Sequence, residues 1–171
     1  LIATDIENGK LKSKEYYHVW ETKKKKRFLK ILFENGEILS FESNPVERQN
    51  PKIDFKELDS LIDPISAFLQ LIIFNNLITI DKVFDGRRIY SLSKINKKNL
   101  INMEISGFNN LTKYDLKITN YKNMWKDHDK KDLKNIEVII GKTNENYFLP
   151  LHFKIKNKGL VFKINYIKHQ N

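Results

Sequence analysis

The sequence predicts a mainly β fold: a curved antiparallel sheet or half-open barrel of hairpins packed around one short buried helix at about residues 63–74. Three observations carry this. Turn dipeptides recur at short intervals, and the runs between them are rich in Ile, Val, Phe and Tyr with partial period-two alternation. One apolar stretch opened by Asp-Pro breaks that alternation.

The elements follow in order. In "DIENGKLKS", Asn8-Gly9 lies between flanks that pair Glu7 with Lys10, Ile6 with Leu11 and Asp5 with Lys12, so opposite charges and apolar partners face each other. "KILFENGEILSF" repeats the device at Asn35-Gly36, pairing Phe33 with Ile38 and Leu32 with Leu39. Asn-Gly suits a tight hairpin because both turn positions need positive φ, which these residues adopt at low cost. Asp85-Gly86 is a third turn, and "KNKG" from Lys156 to Gly159 is a looser fourth. The strand-like runs are "YYHVW", "NMEISGF", "YDLKITNY", "IEVIIG", "YFLPLHFKI" and "LVFKINYI". "SNPVERQNP", with two prolines and no strand pattern, reads as a connecting loop.

In "LIDPISAFLQLIIF", Asp63 can cap a helix and Pro64 fits its first turn, where a missing N–H costs nothing. Ile65, Phe68, Leu69 and Ile72 share one face, and Leu71 and Ile73 make much of the remaining circumference apolar. Such a helix is expected inside the protein, cradled by strands.

At 171 residues the chain is most simply one β domain over 1–171, and its start at Leu1 suggests that it is processed or cut from a longer protein. No run approaches the roughly 18 apolar residues of a membrane-spanning helix. With no cysteine, thiol nucleophiles, thiolate metal sites and disulfides are all excluded. The net charge of +10 attracts polyanions such as nucleic acid, anionic lipid or acidic glycans, although lysines spread along the whole chain also fit a merely solvated surface.

The succession "KKRFLKILFENGEI", "DPISAFLQLI", "VFDGRRIYSL", "MWKDHDKKDL" and "FLPLHFKIKNKGLVFKINYI" resembles a bacterial family of exported, envelope-associated proteins, the domain-of-unknown-function family numbered three-one-zero-eight. The Asp-Pro-x-Ser-Ala helix start, the Phe-Asp-Gly-Arg-Arg-x-Tyr hairpin and the late Leu-Pro match in the family's order, over about Lys25 to Tyr166. The resemblance implies a Gram-negative periplasmic location and a sheet-dominated fold, with a distant analogy to lipoprotein-carrier half-barrels. Many members carry a cysteine pair, one cysteine just before the Asp-Gly hairpin and one near the strand matching "YDLKITNY"; this chain has neither.

Arg87 and Arg88 are the first candidate site. Neighbouring strand residues point to opposite faces, so at most one faces the interior. A turn at Asp85-Gly86 would set Val83 opposite Arg88 and Phe84 opposite Arg87, with Asp81 and Asp85 near enough to pair. Either one arginine makes a local salt bridge and the other is solvated, or Arg88 grips a carboxylate or phosphate at a cavity mouth. In the second case Tyr90, Phe68 and Ile72 are the apolar partners of the ligand. Lys23, Lys24, Lys25, Lys26 and Arg27 form a hairpin tip that could touch anionic lipid or simply be a solvated turn.

His18, His128, His152 and His169 are scattered without metal-ligand spacing, and "DHD" at Asp127 to Asp129 lies among lysines. No metal or cofactor is expected. No GxSxG elbow, phosphate loop or dinucleotide fingerprint supports an enzyme. Although "HFKIKNKGLVFKINY" mixes aromatics with lysines, no RNP-type signature makes it a nucleic-acid sheet. The function expected is therefore non-enzymatic: an exported envelope protein binding a lipid-like or amphiphilic ligand or an envelope partner. A cavity-free interaction module and a basic single-strand nucleic-acid binder are the alternatives.

Overall fold

The computed structural model describes residues 2–7, 10–46, 51–52, 54–74, 76–101, 103–125, 135–145, 147–157 and 160–165. Among the described residues the protein is mainly β, with two antiparallel sheets that do not close into a barrel and one short α-helix. The chain divides into two compact units, Leu1–Leu92 with Asn120–Lys130, and Ser93–Thr119 with Lys131–Asn171.

The first unit begins with β1 (Ile2–Glu7), β2 (Lys10–Thr22), β3 (Lys25–Glu34) and β4 (Glu37–Asn44), paired in sequence order. The pairs Glu7–Lys10, Ile6–Leu11 and Asp5–Lys12 form as the Asn8-Gly9 turn predicts. Asn8 and Gly9 themselves lie outside the described residues. At Asn35-Gly36 the two turn residues take φ of 52° and 82°, and Phe33 pairs with Ile38. Beyond that pair the prediction fails: Leu32 faces Ser40, and Leu39 is left over as a bulge, exposed to solvent. A second slip, in which Ala3 faces Glu15 and Thr4 faces Ser13, sets Lys14 aside on β2.

Helix α1 (Pro64–Ile73) forms where expected, with Asp63 as its N-cap and Pro64 in its first turn. Its orientation is a correction. The buried side is Ser66, Ala67, Gln70 and Leu71, with Ile72, packed toward β2 and toward β5 (Thr79–Phe84). Ile65 and Ile73 stay 46% and 48% exposed, and Leu69 faces water with them. Hydrogen bonds between Asp63 and Ser13 and from Leu11 N–H to Gln70 tie this side to β2, and that outweighs burying the bulkiest residues.

Strand β5 turns into β6 (Arg88–Asn99), and the chain returns along β7 (Phe108–Asn123). The core of this unit is Tyr16, Ile31, Phe33, Leu61, Phe84, Met124 and Trp125, edged by Leu29, Phe41 and Phe55. Phe55 lies 5.3 Å from Phe41 and 6.1 Å from Trp125, ring centre to ring centre, in tilted and edge-on geometries that suit aromatic quadrupoles. Leu61 N–H donates to the Gly36 carbonyl at 2.7 Å, and a Cβ on Gly36 would meet Ser60 Cα at 2.8 Å, so this turn must be glycine for contact as well as for φ.

The second unit is built from the remainder of β6 and β7 with β8 (Asn135–Thr143), β9 (Phe148–Asn157) and β10 (Leu160–Asn165). Tyr114, Leu116, Val138, Ile140 and Leu151 are buried. Polar residues alternate with several of these: Lys113 Nζ lies 2.7 Å from Glu137 and 3.6 Å from Asp115. No described helix is long and apolar enough to cross a membrane.

Candidate functional site

The site starts from a buried clamp. The Asp63 carboxylate, fully buried, accepts from the N–H groups of Ile65 and Ser66 at 2.9 and 3.0 Å through Oδ1. Its Oδ2 accepts from the Ser13 hydroxyl at 2.5 Å, while that hydroxyl accepts from Asp63 N–H at 2.8 Å. Two helical turns on, Gln70 Oε1 accepts from Leu11 N–H at 2.9 Å. These bonds hold β2 against the helix and so fix which face of β2 looks inward. Tyr16, His18 and Trp20 follow on that face, opposite Ile31, Leu29 and Arg27 of β3. Arg27 lies over the Trp20 ring, 5.6 Å from its centre.

The second wall is the corner between β5 and β6. Asp85 N–H donates to the Arg88 carbonyl at 3.2 Å, so Asp85, not Val83, stands opposite Arg88 and the turn falls on Gly86-Arg87. The cause is the Asp85 side chain, whose Oδ1 accepts from both Arg87 and Arg88 N–H at 3.0 and 2.8 Å and moves the corner along the chain. Gly86 has φ +86°, and a Cβ there would overlap the Leu29 side chain at 2.0 Å, so the corner rests directly on β3. Asp81 pairs with Ser91, whose hydroxyl donates at 2.6 Å, and not with Arg88.

Between the sheet and this corner lies a cleft of about 370 Å³, within the range of small-molecule sites. Tyr16, Leu29 and Phe41 give it apolar surface; His18, Trp20 and Arg27 line it from the β2–β3 hairpin, and Asp85, Arg87 and Arg88 from the corner. Arg88 spans burial and solvent. Its Nη1 lies 3.3 Å from Asp85 Oδ2, and its guanidinium sits 5.5 Å from the centre of the Tyr121 ring. Its Nε is buried and has no hydrogen-bond partner among the described residues. A guanidinium with one donor bonded and another shielded yet unsatisfied carries an unspent capacity for an acceptor.

The tyrosines around this corner are held neutral. Burial, then the negative charges of Asp85 and Asp63, push the Tyr16 hydroxyl up to about 12. Burial first, and Asp85 next, raise Tyr90 well above its usual range. Burial also raises Tyr121, against the opposing charge of Arg88.

Of the residues singled out in the sequence, Arg87, Arg88 and Arg27 meet in this cleft. Arg87 is exposed, and Arg88 is half-buried with the local salt bridge to Asp85. Tyr90, Phe68 and Ile72 do not line it: Tyr90 is buried in β6, and Phe68 and Ile72 belong to α1. Lys23 and Lys24 occupy the turn between β2 and β3, with Lys25 and Lys26 leading out of it, all exposed. His152 lies near Glu137 at 3.8 Å; His128, His169 and the Asp-His-Asp triplet are outside the described residues. Among the described residues no group of three or more His, Asp or Glu side chains could hold a metal ion.

Sequence reading missed Tyr16, His18, Trp20, Leu29 and Phe41 as cleft residues. A signal existed: counting back from a turn at Lys23-Lys24 sets Trp20 opposite Arg27 and puts every second residue of "YYHVW" on one face.

No family model matches the chain, and neither a curated protein nor a solved structure does. The resemblance to the exported family rests on its motifs.

Proposed function

We propose that the protein is a non-enzymatic binding module whose cleft takes an amphiphilic anion, a carboxylate or phosphate head carrying an apolar tail. One observation carries the reading: Arg88, with an unsatisfied Nε, stands beside an apolar floor of Tyr16, Leu29 and Phe41 and shares the cleft with Arg27 and Arg87. The head group takes Nε together with a neighbouring Nη in the two-pronged geometry that a guanidinium offers, and the tail lies on the floor. Because Nε is shielded, binding the anion through it requires the guanidinium to turn toward the cleft. The exported, envelope setting implied by the motif resemblance is one where such ligands abound, and it belongs to this proposal.

The test uses dodecanoate and dodecyl phosphate, titrated calorimetrically, with fluorescence of the cleft residue Trp20 as a second readout. Wild-type protein is expected to saturate, and Arg88→Ala to bind about tenfold more weakly or worse, the loss expected for a charge-assisted contact. Thermal unfolding of the variant should stay close to wild type, since a partly exposed ion pair such as Arg88–Asp85 contributes little. Unchanged affinity in Arg88→Ala would refute the site. Collapse of the fold would assign Arg88 a structural role instead.

A further inference from the structure

The two units differ sharply in charge. The second, Ser93–Thr119 with Lys131–Asn171, holds thirteen lysines and no arginine against five acidic residues, so it carries eight of the ten surplus positive charges.

Two loops of this unit lie at one end of its sheet. Phe108, the first residue of β7, pairs with Thr143, the last of β8, so the loop before β7 and the loop after β8 emerge side by side. Asn109 donates to Asn144 across them at 2.7 Å. Both loops are internally bonded: Leu100 N–H donates to the Leu111 carbonyl at 2.8 Å, and Thr143 N–H to the Tyr147 carbonyl at 2.8 Å.

Their tips are apolar and open to water. Ile101 is 89% exposed, Tyr147 63% and Phe148 52%, with Met103 and Leu149 beside them. Lysines border the same end: Lys97 and Lys98 close β6, and Lys142, next to the end of β8, lies over the Phe148 ring at 5.8 Å. Burial and then the charge of Lys97 hold the Lys94 ammonium below its usual range, as crowded like charges do. Glu104 and Glu145 are the acidic residues in these loops.

We infer that this end of the second unit is a docking surface for an anionic lipid bilayer, with Ile101, Met103, Tyr147 and Phe148 entering the interface and Lys97, Lys98 and Lys142 meeting the headgroups. Exposed aliphatic and aromatic side chains on adjacent loop tips are costly in water, and amphipathic rings settle at the headgroup level. Lysines around them match the negative surface of the leaflet. A flat polyanion such as a nucleic-acid strand would use the charges and leave Ile101 and Met103 without a role. The surface shares no residue with the Arg88 cleft and does not depend on it.

The experiment is co-sedimentation of the intact chain with vesicles of phosphatidylcholine alone and of phosphatidylcholine with phosphatidylglycerol, at low and high salt. Wild-type protein is expected to bind the anionic vesicles more tightly, and less so at high salt. Joint Ile101→Ser and Phe148→Ser substitution should weaken that binding at least tenfold. Replacing Lys97, Lys98 and Lys142 with Gln should cost on the order of a hundredfold, about fivefold per lysine near a charged leaflet, and flatten the salt dependence. Arg88→Ala should bind the vesicles as wild type does, which separates this surface from the cleft. All the substituted tip residues are exposed, and circular dichroism confirms that each variant is folded. Three results would each overturn the proposal: equal binding to neutral and anionic vesicles, undiminished binding by the Ile101/Phe148 variant, or retention by oligothymidylate but not by vesicles.

Discussion

Asp63 and Asp85 make the same local device and end in opposite states. Each aspartate accepts through Oδ1 from two backbone N–H groups just ahead of it, and each organises a change in chain direction. Around Asp63 the device is sealed: the carboxylate is fully buried, and its second oxygen is occupied by Ser13. Around Asp85 it is open: the second oxygen meets Arg88 at 3.3 Å, that arginine is partly exposed, and its Nε remains unsatisfied. A polar group whose bonding is complete and dry specifies structure, whereas one left incomplete at the edge of a cleft is available to a ligand.

The comparison breaks most readily on stability. Asp63→Ala removes a helix cap and strands the Ser13 hydroxyl and two N–H groups, so denaturant unfolding should show a loss of about 2–4 kcal/mol. Asp85→Ala also loses two backbone bonds through Oδ1, but these and the partly exposed pair with Arg88 lie nearer to water, so it should cost less, about 1–2 kcal/mol. Equal losses for the two variants would erase the distinction between the sealed turn and the open one.

A pH series sharpens it next, since Tyr16 feels both carboxylates. Its folded pKa of about 12 lies above the unfolded value of 10.0, so the folded state holds this proton more tightly. The resulting stability is complete below about pH 10 and is lost as pH rises from about 10 to 12, by up to about 2–3 kcal/mol. Tyr90 adds to the loss in the same direction. Tyr16→Phe should flatten the Tyr16 share of the fall in chemical-denaturation curves; an unaltered slope would mean that the tyrosine is not held by burial and the two aspartates.

Much of the fold was legible because hairpins are local. Turn residues and cross-strand partners of β1 and β2 stand within a few positions of one another, and the Asp63-Pro64 opening of α1 is a contiguous signal. The slips at Lys14 and Leu39 were not legible, because an inserted residue in a ladder leaves no compositional mark. Nor was the buried side of α1, which is set by the tertiary bonds of Asp63 to Ser13 and of Gln70 to Leu11. Hydrophobicity alone pointed to Ile65 and Leu69. The cleft was half legible: the arginine pair advertised itself, but its partners come from residues 16–20, 27–29 and 41–45, brought to residues 85–88 only by tertiary packing. Tyr90, chosen as a neighbour in sequence, is buried and does not line the cleft.

The claim that Arg88 is the open half of the comparison can be read at the atom concerned. The chain has four arginines, few enough for their Nε–H resonances to be assigned by single Arg→Lys substitutions. On titration with dodecanoate, the account predicts that the Arg88 Nε–H signal moves downfield and exchanges more slowly with water, in step with the calorimetric isotherm. Saturation of the protein with that resonance unmoved would contradict it.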